Sequence, residues 1–166
     1  MKFHKIILFF LSSVLILSQI GCSNNKDSLP ESISGLKLSN IIIGDKAKES
    51  VNKLHFQPVT ETENEIGFYK GEIGEAIIYV THYQNAKDSQ TDYAKMTKKI
   101  SPENSVFFNP SFFKMNGKEV YQCFGMGMTH FVFYDDVDLF WISVDAHIAR
   151  EFLKNYIEYI SKLPHN

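Results

Sequence analysis

Only two cysteines, Cys22 and Cys123, occur in 166 residues, and no Cys-x-x-Cys-His is present, which excludes covalent haem attachment as it is usually written. No His-x-x-x-His or His-Glu-x-x-His occurs, so the histidines lack recognised metal spacing. No Gly-Lys-Ser or Gly-Lys-Thr follows Gly44, and no Gly-x-Ser-x-Gly occurs, so neither a phosphate loop nor a hydrolase elbow is indicated. Gly125-Met126-Gly127 is half of a dinucleotide fingerprint without its third glycine. Asp135, Asp136 and Asp138 begin like a calcium loop, but Phe140 and Ala146 stand where its Gly and closing Glu belong. The formal charge is −2, with no block of one sign, and this excludes a basic nucleic-acid surface. No apolar run reaches the roughly 20 residues that a spanning helix needs.

Aromatic residues, by contrast, are plentiful: fourteen Phe, eight Tyr and one Trp. They form either a compact aromatic core or a groove for a ligand or peptide. The pattern predicts strands at 36–43, 66–70, 75–83, 118–124, 128–134 and 139–144. Gly71 and Gly74 mark one turn, and Asn116-Gly117 is the strongest tight-turn signal. Helical spacing runs through Ala47, Val51 and Leu54, with Asp45 as the expected N-cap. A second helix is expected over 85–100, with Ala86, Tyr93, Met96 and Ile100 as its narrow apolar stripe. The last helix, 146–163 with Asp145 as cap, has the clearest period through Ala149, Phe152, Leu153, Tyr156, Ile157 and Ile160. The stretch 104–117 is either an edge strand broken by Pro110 or a loop that tucks its phenylalanines inward. Short connections favour one α+β domain over 35–166: a twisted antiparallel sheet with about three helices packed mainly on one face.

The first 22 residues carry a different message. Lys2 and Lys5 precede an apolar stretch, Ile6 to Leu17, and small Gly21 stands immediately before Cys22. A basic start, a short apolar core and a small residue at the cut describe a secretory signal over 1–21. Together with Cys22 the segment resembles bacterial lipoprotein signals, although Gln19 stands where members usually carry an aliphatic residue. The resemblance implies cleavage after Gly21 and acylation of Cys22, with the domain held to a membrane through its N-terminal lipid in the cell envelope. One acyl chain binds only marginally, whereas several on one residue hold permanently. Ser23 follows the cysteine where family sorting disfavours Asp for the outer membrane, so the resemblance leans to the outer membrane. An acylated Cys22 leaves Cys123 without a disulfide partner, and burial as a small apolar residue is its expected fate. Residues 22–34, polar and containing Pro30, read as a flexible tether.

Ile43-Gly44-Asp45 and the helix ending at Leu54 also resemble, over about a dozen residues, the first helix of small lipoproteins that help assemble outer-membrane proteins. That resemblance implies a small anchored interaction module. The expected function is therefore non-enzymatic binding, to an envelope protein or a small apolar ligand, with no cofactor. The alternative is copper handling. Met126, Met128 and His130 would share one face of a continuous strand, and two thioethers with an imidazole suit Cu(I). A zinc site from facing His82 and His130 with Asp135, Asp136 or Asp138 is an arithmetic possibility, and an enzyme using His130 or His82 as base is a third reading, for which the sequence offers no nucleophile to name.

Overall fold

Alternation of buried and solvated side chains makes a strand, and in this chain the odd and even positions of most strands are both apolar. Such strands need cover on two faces. The computed structural model describes residues 28–55, 62–100, 103 and 105–164. In chain order the elements are β1 (Ser32–Ile33), β2 (Leu36–Ile43), α1 (Gly44–His55), β3 (Glu63–Gly71), β4 (Gly74–His82), α2 (Ala86–Lys99), β5 (Phe108–Met115), β6 (Lys118–Gly125), β7 (Met128–Asp135), β8 (Asp138–Asp145) and α3 (Ala149–Ile160). The strands form one sheet in the order β1-β2-β3-β4-β8-β7-β6-β5, antiparallel throughout. The expected α+β class with a single antiparallel sheet and three helices is what the chain adopts.

Two meanders meet in the middle of this sheet. β1 to β4 form one and β5 to β8 the other, joined where β4 pairs with β8 from Ala76↔Val144 to His82↔Asp138. Ile78, Val80, Phe140 and Ile142 from these two strands pack with Phe152, Leu153, Tyr156 and Ile157 of α3. Their chain neighbours Ile77 and Tyr79 pack with Ala47 and Val51 of α1, and Leu139 and Trp141 pack with Tyr93 of α2. Successive strand residues point to opposite faces. Hence α1 and α2 share one face, and α3 covers the other alone.

The turn chemistry follows the sequence closely. Asn116 and Gly117 have φ of 50° and 81°, as a two-residue type I′ hairpin requires. Met126 and Gly127 make the same kind of turn, with φ of 52° and 81°. Asn85 caps α2 by accepting the Asp88 amide at 3.1 Å.

Several expectations are corrected. Asp145 is not a helix cap: it ends β8, and its carboxylate accepts the backbone N–H of Glu75 at 2.9 Å, stitching β8 to the β3–β4 turn. The last helix begins at Ala149, after an N-cap, Ile148, that offers no side-chain hydrogen bond. Asp45 lies in the first turn of α1, not ahead of it. The stretch 104–117 follows both expected courses: β5 is an edge strand whose register shifts around Asn109-Pro110, and Phe107 just before it packs into the α2 core. The segment expected as tether enters the domain early. Ser28 and Leu29 are buried, Ser32–Ile33 pairs with β2, and Tyr156 Oη donates to the Ser28 carbonyl at 2.9 Å.

Leu153 is fully buried at the centre of the α3 face. Leu153→Ala should cost about 2–5 kcal/mol of unfolding free energy through lost transfer and residual cavity, measured as a lower urea midpoint at unchanged slope. A cost under about 1 kcal/mol would show that α3 is not a principal support of the sheet.

Candidate functional site

Two histidines lie at buried polar clusters, one on each face of the sheet. The β4–β8 register sets His82 opposite Asp138, and the β3–β4 register sets Glu65 opposite Val80 on that same face. His82 Nδ1 is 2.8 Å from Asp138 Oδ1. Its Nε2 is 3.2 Å from Glu65 Oε1, close enough for an ion pair although not aligned as a hydrogen bond. Asp138 is 2% exposed, so its charge needs a partner inside the fold. Burial pushes the His82 pKa down, but the hydrogen bond and charge of Asp138, joined by Glu65, outweigh it and raise the value to about 9. His82 is therefore a cation at neutral pH, gripped between carboxylates from the two adjoining strands. An imidazolium has no lone pair to accept a proton, so it is no general base there. Burial, together with the nearby Asp138 and Glu65 charges, also keeps the Tyr156 phenol protonated.

His130 lies on the opposite face, in β7, and is 4% exposed. Its Nε2 meets the Gly125 carbonyl at 3.0 Å, which only accepts, so Nε2 carries the proton. Nδ1 then accepts from Ser143 Oγ at 2.9 Å and from Trp141 Nε1 at 3.2 Å. Phe107 packs edge-on against the ring at 4.8 Å between centroids. Burial lowers the His130 pKa, with the Gly125 bond opposing weakly, and the ring stays neutral. Both nitrogens are occupied, and the Ser143–His130 pair is closed over by aromatic rings.

The proposed copper ligands are not assembled. The strand breaks at the Met126-Gly127 turn, so the alternation that would align Met126 with Met128 and His130 fails. Met126 points away from the fold at 78% exposure, whereas His130 is spent on Gly125, Ser143 and Trp141. The zinc arrangement fails too, because His82 and His130 occupy opposite faces; only its His82–Asp138 half exists. Among the described residues no three His, Cys, Asp or Glu side chains are placed to hold a metal ion. Cys123 is fully buried, and burial pushes its thiol up to about 12, as expected for an inert core cysteine. Cys22 and Gly21 lie outside the described residues. No helix among those residues is long and apolar enough to cross a membrane.

The aromatic residues are mostly core: Phe131, Phe133, Phe140 and Phe152 are almost wholly buried. The exceptions gather at the β5 edge. Val106, Phe108 and Phe112 are more than half exposed there, and Met126 projects from the adjoining turn. Phe108 pairs with Phe124, beside the Gly125 that begins that turn. At the opposite end of the sheet, Ile41 and Ile43 on β2 are also exposed. Sequence reading could not place the His82–Asp138 contact, because it spans 56 residues and depends on which strands adjoin.

No protein-family model matches the chain, and no curated protein matches it. Among solved structures it is similar to a GTP binding regulator from Thermotoga maritima, with a TM-score of 0.51 and 14% identity over 75% of this chain and 77% of that one. At that identity the likeness concerns the fold.

The His82 cluster makes stability depend on alkali. Its folded pKa of about 9 lies above the ordinary 6.5, so the contribution is complete below pH 6.5 and is lost as pH rises through 9. The loss should be on the order of 2–3 kcal/mol. Denaturant melts at pH 6.5 and 9.5 should differ accordingly for wild type and much less for His82→Gln. Equal slopes with pH in the two proteins would remove the cluster as the cause.

Proposed function

We propose that the chain is a lipid-anchored cell-envelope protein, cut after Gly21 and acylated on Cys22, whose domain acts by binding, not by catalysis. The observation that carries the anchor is the succession Lys2, Lys5, Ile6 to Leu17 and Gly21-Cys22, placed six residues ahead of Ser28, where the described fold begins. Ser23 after the cysteine favours the outer membrane.

The binding reading is supported by the state of the reactive groups. His82 is held as a cation, His130 has both nitrogens engaged, and the Cys123 thiol is buried and protonated. What the surface offers instead is apolar: the β5 edge, unpaired on its outer side among the described residues, carries Val106, Phe108 and Phe112 with Met126 beside it and favours a protein partner in the envelope over a small apolar ligand. The Thermotoga maritima neighbour, a GTP binding regulator, is compatible with a binding use of this fold. A nucleotide site is not carried over with it, since this chain has no Gly-Lys-Ser or Gly-Lys-Thr loop.

Metabolic palmitate labelling and intact mass of the membrane fraction test the anchor. Wild type should carry label and acyl mass, and Cys22→Ser should carry neither. A wild-type protein that is cut yet unlipidated would end the reading.

A further inference from the structure

The point where the chain joins the fold limits how the domain can sit. Ser28 is buried under α3, held by Tyr156 Oη on its carbonyl, and Leu29 lies against Gly67 of β3. Six residue steps separate Ser28 from Cys22. A fully extended chain covers at most about 3.6 Å per step, so Ser28 cannot be more than about 22 Å from Cys22.

Beside that point the sheet has a bare apolar margin. Ile41 and Ile43 are 46% and 61% exposed. Their register partners are Gly67 and Glu65, so both isoleucines lie on the face where Leu29 covers Gly67. β1 pairs only with Leu36 and Lys37, and Leu38 N–H reaches Glu31 O at 2.9 Å. Among the described residues nothing pairs with the outer edge of β2 beyond Leu38.

We infer that the Ile41–Ile43 edge of β2 rests on the lipid surface to which Cys22 is anchored, giving the domain a fixed orientation; this rests on the lipoprotein reading above. The short reach from Cys22 and the shared face select the bilayer over a soluble partner. The contact is shallow. Isoleucine side chains can enter the headgroup boundary, but the unpaired N–H and C=O groups of a sheet edge need the water found there and are not tolerated in hydrocarbon.

The test uses the full lipidated protein in vesicles of phosphatidylethanolamine and phosphatidylglycerol, with an environment-sensitive dye on Ile43→Cys. Lys114→Cys on β5, the opposite edge, is the comparison. Acylation blocks Cys22 and Cys123 is fully buried, so the introduced thiol takes the label. The dye at 43 should shift to the blue and lose its emission several-fold when lipids carry a nitroxide near the headgroup; the dye at 114 should do neither. Emission at 43 as water-like as at 114 would overturn the inference. So would a shielded dye that nitroxide lipids do not quench, since the edge would then be covered by protein. Intact mass separates the two readings: acylated protein with an unquenched dye overturns this inference alone, whereas missing acyl mass overturns the anchor and this inference together.

Discussion

The pairing of β4 with β8 is the constraint on which the rest of the structure depends. It joins two meanders that are each local in sequence, and it forms only when segments some 60 residues apart come together. Loop closure over such a distance costs entropy before any contact rewards it. The junction repays that cost on both faces at once. Ala76, Ile78 and Val80 face Val144, Ile142 and Phe140 beneath α3, while Tyr79 and Trp141 turn to the helices opposite. At its end stand His82 and Asp138, a buried charged pair on the α3 face. Replacing a buried ion pair by apolar residues is often neutral or stabilising, whereas separating its two members is costly, so the pair also constrains the register of β8. A one-residue slip of β8 would bury Asp138 away from any cation and send the α3 core to the wrong face.

The elements themselves were readable because each obeys a local rule. Asn116-Gly117 demands a tight turn, the period of Phe152, Leu153, Tyr156 and Ile160 demands a helix, and alternation around Ile77 to His82 demands a strand. Element boundaries and strand order were less accessible. Asp145 looked like a helix cap because an aspartate before an apolar helical period usually is one; the β3–β4 turn, 70 residues earlier, claimed its carboxylate instead. Ser28 and Leu29 looked like tether because polar, proline-containing stretches rarely bury themselves; their burial depends on Gly67 and Tyr156, which no local pattern reveals.

The same distinction governs the candidate site. Met126, Met128 and His130 satisfied a spacing rule that holds only on an uninterrupted strand, and the glycines at 125 and 127 interrupt it. Gly125 is held in place by neighbours as well as by the turn, since a Cβ there would meet Phe107 at 2.5 Å. Closeness of Phe107 is also what seals His130. Gly125, Phe107, Trp141 and Ser143 thus enclose a neutral imidazole, while Met126 is left on the outside of the turn.

A sheet of this kind has two ends, and they differ in chemistry. β2 carries Ile41 and Ile43 next to the point where the chain leaves towards Cys22, and β5 carries Phe108 and Phe112 at the other margin. Six strand spacings separate β2 from β5, and at about 4.8 Å each this is roughly 30 Å. In the proposed orientation the lipid surface occupies the β2 margin and holds the β5 margin away from it, facing the aqueous side. Pro110 and the register shift at Asn109 limit pairing along β5, which is how an open edge avoids indiscriminate strand addition. What remains for recognition there is the exposed side chains and a short run of backbone near Phe112. A partner would then be selected by apolar side-chain fit more than by extension of the sheet.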